Sequence, residues 1–88
     1  MEEKCFTIKN RLGLHARAAA QLVQTASQFC SEVVIGKDGE EVNGKSIMGI
    51  LMLAAAQGSK IVVQVTGDDA DQAIEAIGKL IEDGFGEE

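Results

Sequence analysis

Apolar and polar residues alternate over residues 4–9, with Phe6 and Ile8 on one side and Cys5, Thr7 and Lys9 on the other. A period of two predicts a half-buried strand. Over residues 16–28 the period lengthens. Ala19, Leu22, Val23, Ala26 and then Phe29 or Cys30 form one helical stripe, while Gln21, Gln24, Thr25 and Gln28 face away. Residues 32–36 predict a second strand. Residues 37–40 predict a turn, because Asp38-Gly39 tolerates the positive φ of a tight hairpin. Residues 41–43 predict a short third strand. Residues 47 to 55 then read as an apolar helix ended by Gln57-Gly58, with Ser46 at its head to accept an orphan N–H. Gly49 inside that helix costs about 1 kcal/mol against alanine, which implies tight packing or a close approach there. Residues 60–66 form the clearest strand, with Ile61, Val63 and Val65 on one face. Acidic Asp68, Asp69 and Asp71 suit the start of a third helix, whose stripe is Ala70, Ala73, Ile74, Ile77, Leu80 and Ile81. Gly84 suits its end, and the tail 86–88 is expected to be mobile.

The order βαββαβα predicts an α+β fold: a two-layer open-faced sandwich with a four-stranded antiparallel sheet and three helices on one face. The alternation within the strands fits a sheet with one wet face. Residues 1–88 read as one domain, with no internal repeat and no linker.

Composition narrows the function classes. The core must be aliphatic, since the chain has no Trp or Tyr. A net charge of −6 makes the chain a poor binder of nucleic acid or an anionic membrane. Arg11, His15 and Arg17 still form a local cationic spot. Two cysteines, Cys5 and Cys30, make no disulfide framework, and no signal peptide is expected ahead of them. No apolar run reaches the roughly 18 residues that span a bilayer. A cytoplasmic protein is expected. One histidine and two distant cysteines offer no metal-ligand spacing, so no metal and no cofactor is expected.

The candidate chemistry sits where the first loop becomes the first helix. A lone histidine is ordinarily a surface or core residue. His15, however, opens a helix, where N–H groups lack partners and the dipole is positive. Such a place attracts anions, and a neutral imidazole there is a nucleophile. Arg17 adds a fork of donors matched to phosphate oxygens. Histidine, helix N-terminus and arginine together suit a phosphoryl acceptor. General acid–base work would need a substrate pocket and an orienting carboxylate, and neither stands near His15 in the sequence. No nucleophile elbow is present.

The segment Gly13-Leu-His-Ala-Arg17, with Asn10 three residues before Gly13, resembles the active-centre motif of HPr, the phosphocarrier family of the bacterial phosphoenolpyruvate-dependent phosphotransferase system. Gly44-Lys-Ser-Ile-Met-Gly49 resembles the family's second signature. The resemblance covers the whole chain and implies an HPr-like fold. It implies that enzyme I passes a phosphoryl group to Nδ1 of His15, and that the protein passes it on to an enzyme IIA domain. It further implies that Arg17 and the N–H groups of Ala16 and Arg17 steady the phosphoryl group. Partners would dock on Ala16 and Ala20 of the first helix and on Ile47, Met48 and Leu51 of the second. Ser46, an ordinary N-cap by position, would gain a second role as the regulatory site of an HPr kinase/phosphorylase, read by a transcriptional regulator. One departure stands out: Ala18 occupies the place where the family commonly has proline, which removes a restraint on Arg17. A monomer is expected for a carrier that shows one face to successive partners. Two other readings stay open here: a nitrogen-related regulatory phosphotransfer chain, and a non-catalytic module read through Ser46.

Overall fold

A computed structural model describes residues 1–87. In chain order its elements are β1 (Glu2–Thr7), α1 (Ala16–Ala26), β2 (Glu32–Lys37), β3 (Glu40–Asn43), α2 (Ile47–Met52), β4 (Lys60–Thr66) and α3 (Ala70–Glu82), followed by a 3₁₀ turn at Gly84–Gly86. This is the βαββαβα order expected. The four strands form one sheet in the order β1-β4-β2-β3, antiparallel throughout.

The clearest strand of the sequence, β4, is a central one. Its Ile61, Val63 and Val65 stand opposite Phe6, Ile35 and Val33 in the neighbouring strands, and all of these are buried. Direct opposition puts them on one face. Burying one such side chain contributes about 1.5–3 kcal/mol, so this face must be covered. The helices cover it: α3 lies over β1 and β4, α1 packs against α2 and α3, and α2 reaches β3. The other face carries Glu3, Cys5, Val34, Val62 and Gln64, and is open.

Turn chemistry holds between β2 and β3, where Asp38 (φ 53) and Gly39 (φ 87) both take positive φ. Gly49 has the close approach its cost implied, since a Cβ there would lie 3.1 Å from Val42 Cβ on β3. One strand and two helix ends differ from expectation: β1 covers Glu2–Thr7 instead of residues 4–9. α1 ends at Ala26 instead of residue 28, in tight turns where Gln28 N–H donates to Thr25 O and Phe29 N–H to Ala26 O. α2 stops at Met52, not at residue 55, because Ala54 takes a φ of 51 and turns the chain away. The tail 86–88 also differs, since Glu87 is half-buried and bonded and so is held; Phe85, just before it, is buried. Glu88, the last residue of the tail expected to be mobile, lies outside the described residues.

Candidate functional site

The loop from Asn10 to Leu14 is closed on itself before it meets the helix. Gly13 N–H donates to Asn10 O at 3.1 Å, and the buried Asn10 side chain donates through Nδ2 to Gly13 O at 2.7 Å. A second support comes from the chain after α2. Leu14 N–H donates to Ala55 O at 2.8 Å, and Leu14 is itself buried. Ala55 lies just beyond the end of α2. Gly13 runs so close to that segment that a Cβ on it would sit 2.9 Å from Ala56 Cα.

This frame sets His15 as the N-cap residue of α1, in extended conformation, with its carbonyl accepting Ala19 N–H at 2.8 Å. Its side chain makes no capping bond. The first-turn N–H groups of Ala16, Arg17 and Ala18 thus have no carbonyl four residues back to bond within the helix. Arg17 is exposed and forms no ion pair among the described residues. Ala18 is fully buried under this turn.

The imidazole is held from the far end of the chain. His15 Nε2 lies 2.5 Å from Glu87 Oε2, with the two side chains 27% and 18% exposed. Asn10 Nδ2 also donates to the other oxygen, Glu87 Oε1, at 3.1 Å. The Glu87 carboxyl is held below its ordinary range, first by the Asn10 hydrogen bond and then by the one to His15, against partial desolvation; the charges of His15 and Arg17 add to this. Arg11, Leu12, His15, Arg17 and Glu87 line an open hollow of about 250 Å³. A separate hollow of about 440 Å³, lined among others by Cys30, Ser31 and Lys45, shares no residue with it. Among the described residues, no group of three or more His, Cys, Asp or Glu could hold a metal ion. Likewise among them, no helix is long and apolar enough to cross a membrane.

Comparison with known proteins adds the decisive observation. A family model described as the PTS HPr component phosphorylation site matches residues 2–83. The chain belongs to the HPr family. Members of that family are phosphocarriers of the phosphotransferase system. The phosphocarrier protein HPr of Xylella fastidiosa is 49% identical over 88 residues, covering 100% of this chain and 99% of its own. A crystal structure of HPr-C-His from Thermoanaerobacter tengcongensis is 51% identical, with a TM-score of 0.97 over 100% of this chain and 99% of that one. An HPr dimer from the same organism is 50% identical, with a TM-score of 0.80 over 99% of this chain and 100% of that one. Dimers therefore occur among HPr relatives, and family likeness does not support the monomer expected from the sequence.

The HPr fold brings some of the sequence-derived candidates together and leaves others apart. His15 and Arg17 share the hollow; Ala16 is exposed and Ala20 half-buried on α1. Ile47, Met48 and Leu51 are 42%, 72% and 36% exposed on α2, which packs against α1. Ser46 caps α2, its Oγ accepting Gly49 N–H at 3.1 Å. Two exposed apolar side chains went unnoticed in the sequence, Leu12 beside His15 and Met52 on α2. Glu87 also went unnoticed. It lies in a polar tail 72 residues from the histidine, and no periodicity marks it.

Proposed function

We propose that residues 1–88 act as one phosphocarrier domain of the phosphotransferase system, with His15 as the phosphoryl acceptor. The supporting observation is that His15 caps α1 by position but not through its side chain. The N–H groups of Ala16 and Arg17 stay available to an anion, and the exposed Arg17 guanidinium adds charge-assisted donors. A phosphoryl group on the ring would meet this positive end without any movement of the helix.

In the forward step the lone pair of His15 Nδ1 attacks the phosphorus of phosphorylated enzyme I. A P–N bond forms as the donor's own bond to phosphorus breaks, and the donor keeps that electron pair. The reverse chemistry hands the group to a histidine of an enzyme IIA domain. An open hollow suits this exchange, because the attacking group arrives on another protein. Ile47, Met48 and Leu51, with Ala16 and Ala20, offer the apolar surface for docking, and the exposed side chains of Leu12 and Met52 would extend it. Flexible Met side chains suit a surface that meets several partners. The setting is cytoplasmic.

Ser46 is a regulatory site in this reading, modified by an HPr kinase/phosphorylase and read by a transcriptional regulator. A phosphate there stays at the N-terminus of α2, which tolerates negative charge, and places up to about two charges beside Ile47 and Met48.

The test is incubation with phosphoenolpyruvate and enzyme I, followed by mass spectrometry. An acid-labile adduct of one phosphate is expected in the wild type and in Ser46→Ala, and not in His15→Ala. No adduct with several competent enzymes I would refute the reading.

A further inference from the structure

We propose that Glu87 is a positioning residue that selects which ring nitrogen of His15 is the nucleophile. The inference rests on the reading of His15 as the phosphoryl acceptor. A carboxylate can only accept, so Glu87 Oε2 at 2.5 Å from Nε2 holds that nitrogen as N–H. In the neutral ring the lone pair then lies on Nδ1, the nitrogen that must attack.

The same contact serves the transfer step. When Nδ1 forms its bond to phosphorus, the ring keeps the Nε2 proton and carries positive charge. No proton has to leave. The charge appears opposite a carboxylate that is already in place, as in the histidine–carboxylate pair of hydrolytic triads. The negative charge of Glu87 stands on the Nε2 side of the ring, and the phosphoryl group on the Nδ1 side.

The tail is aimed by Asn10. Its Nδ2 donates both to Gly13 O and to Glu87 Oε1, so one amide links the loop before His15 to the carboxylate behind it. Both partners of that nitrogen are acceptors, which fixes the orientation of the amide. A turned Asn10 amide would set its oxygen against the Gly13 carbonyl.

That fixed orientation makes an unusual prediction. In Glu87→Gln, the new side chain must offer its oxygen to Asn10 Nδ2, because the alternative sets two donors face to face. Its NH₂ then points at Nε2 and donates to it. Nε2 becomes the acceptor, the proton moves to Nδ1, and the nucleophile is blocked. Glu87→Ala simply removes the constraint and leaves the ring free to present either nitrogen. The isosteric variant is therefore expected to be the slower one: about tenfold loss of phosphorylation rate for Ala, and about a hundredfold or more for Gln. A role in packing or loop order alone predicts the reverse ranking, since Gln preserves the shape.

The experiment has two arms. The ¹⁵N shifts of the ring, measured by NMR without any phosphoryl donor, should show protonated Nε2 in the wild type and protonated Nδ1 in Glu87→Gln. Rapid-quench phosphorylation by enzyme I should rank the proteins wild type, Ala, Gln. An unchanged tautomer in Glu87→Gln, or a Gln variant as fast as or faster than Ala, overturns the proposal, and the reading of His15 survives as long as the wild type is phosphorylated there. A wild type that accepts no phosphoryl group refutes both.

Discussion

Replacing Gly13 by alanine should uncouple the His15 loop from its support. Gly13 has a φ of 69, and an L side chain in that region costs about 1–2 kcal/mol. A Cβ there would also lie 2.9 Å from Ala56 Cα, against backbone that cannot rotate away. Either the loop or the segment after α2 must move, which strains or breaks the bond from Leu14 N–H to Ala55 O, a loss of about 1 kcal/mol. The expected total is about 2–4 kcal/mol.

Gly39→Ala supplies the control. Gly39 also has positive φ, at 87, but nothing lies within 4 Å of an added Cβ. It should lose only the conformational part, about 1 kcal/mol. Urea unfolding with an unchanged slope reads both values, and the difference isolates the close approach. Function separates the two further. Gly39→Ala should accept a phosphoryl group at the wild-type rate, since its turn lies between β2 and β3. Gly13→Ala should slow by about a hundredfold where His15 is displaced by about 1 Å. Equal destabilisation by the two substitutions, or a Gly13→Ala protein phosphorylated at full speed, would refute the idea that the segment after α2 positions the histidine.

Other sites predict distinct signatures. Arg17→Ala should slow phosphoryl transfer by about tenfold to a hundredfold in a rapid-quench assay, while urea stability changes by less than about 0.5 kcal/mol, because the side chain is exposed and makes no ion pair among the described residues. Ser46→Ala should lose about 1 kcal/mol in the same unfolding experiment through the bond from Gly49 N–H. Asp69 accepts from the Ser31 hydroxyl and from the N–H groups of Cys30 and Ser31, and these bonds hold its carboxyl below its ordinary value of 3.8. A depressed folded-state carboxyl contributes stability above that ordinary value and loses it as pH falls through the folded one. Asp69→Asn should therefore flatten the acid limb of the stability–pH curve and leave the limb near neutrality parallel to wild type.

The parts of this fold that were legible are those where local pattern and tertiary role agree. Alternation in residues 60–66 marked a central strand because one face of β4 meets the core and the other stays open. The stripe from Ala70 to Ile81 marked α3 for the matching reason. Ser46 was legible as a cap because capping is decided within one turn. The end of α2 was not. Residues 47–55 are apolar throughout, and nothing local stops a helix there. The stop at Met52 goes with the left-handed Ala54, and just beyond it Ala55 O accepts the Leu14 N–H, a tertiary bond with no local mark. Burial of Phe85 was hidden for a similar reason, since it follows Gly84 in a short polar tail with no period to betray it.

The candidate site divides along the same line. His15 and Arg17 were legible because a histidine at a helix start, two residues before an arginine, is a local arrangement. Its supports are not local. Asn10 was visible only as part of a motif, yet its amide bonds both the loop and the tail. The orienting carboxylate that the sequence failed to show near His15 does exist, and it arrives from residue 87. The absence of a carboxylate within a few residues therefore excluded less than it implied. A helix N-terminus can bind an anion with residues from one turn. Choosing between the two nitrogens of an imidazole takes a group bonded to one of them, here on the Nε2 side of the ring. The residue that makes the choice comes from another part of the chain, and after α3 the 3₁₀ turn at Gly84–Gly86 brings Glu87 to that side.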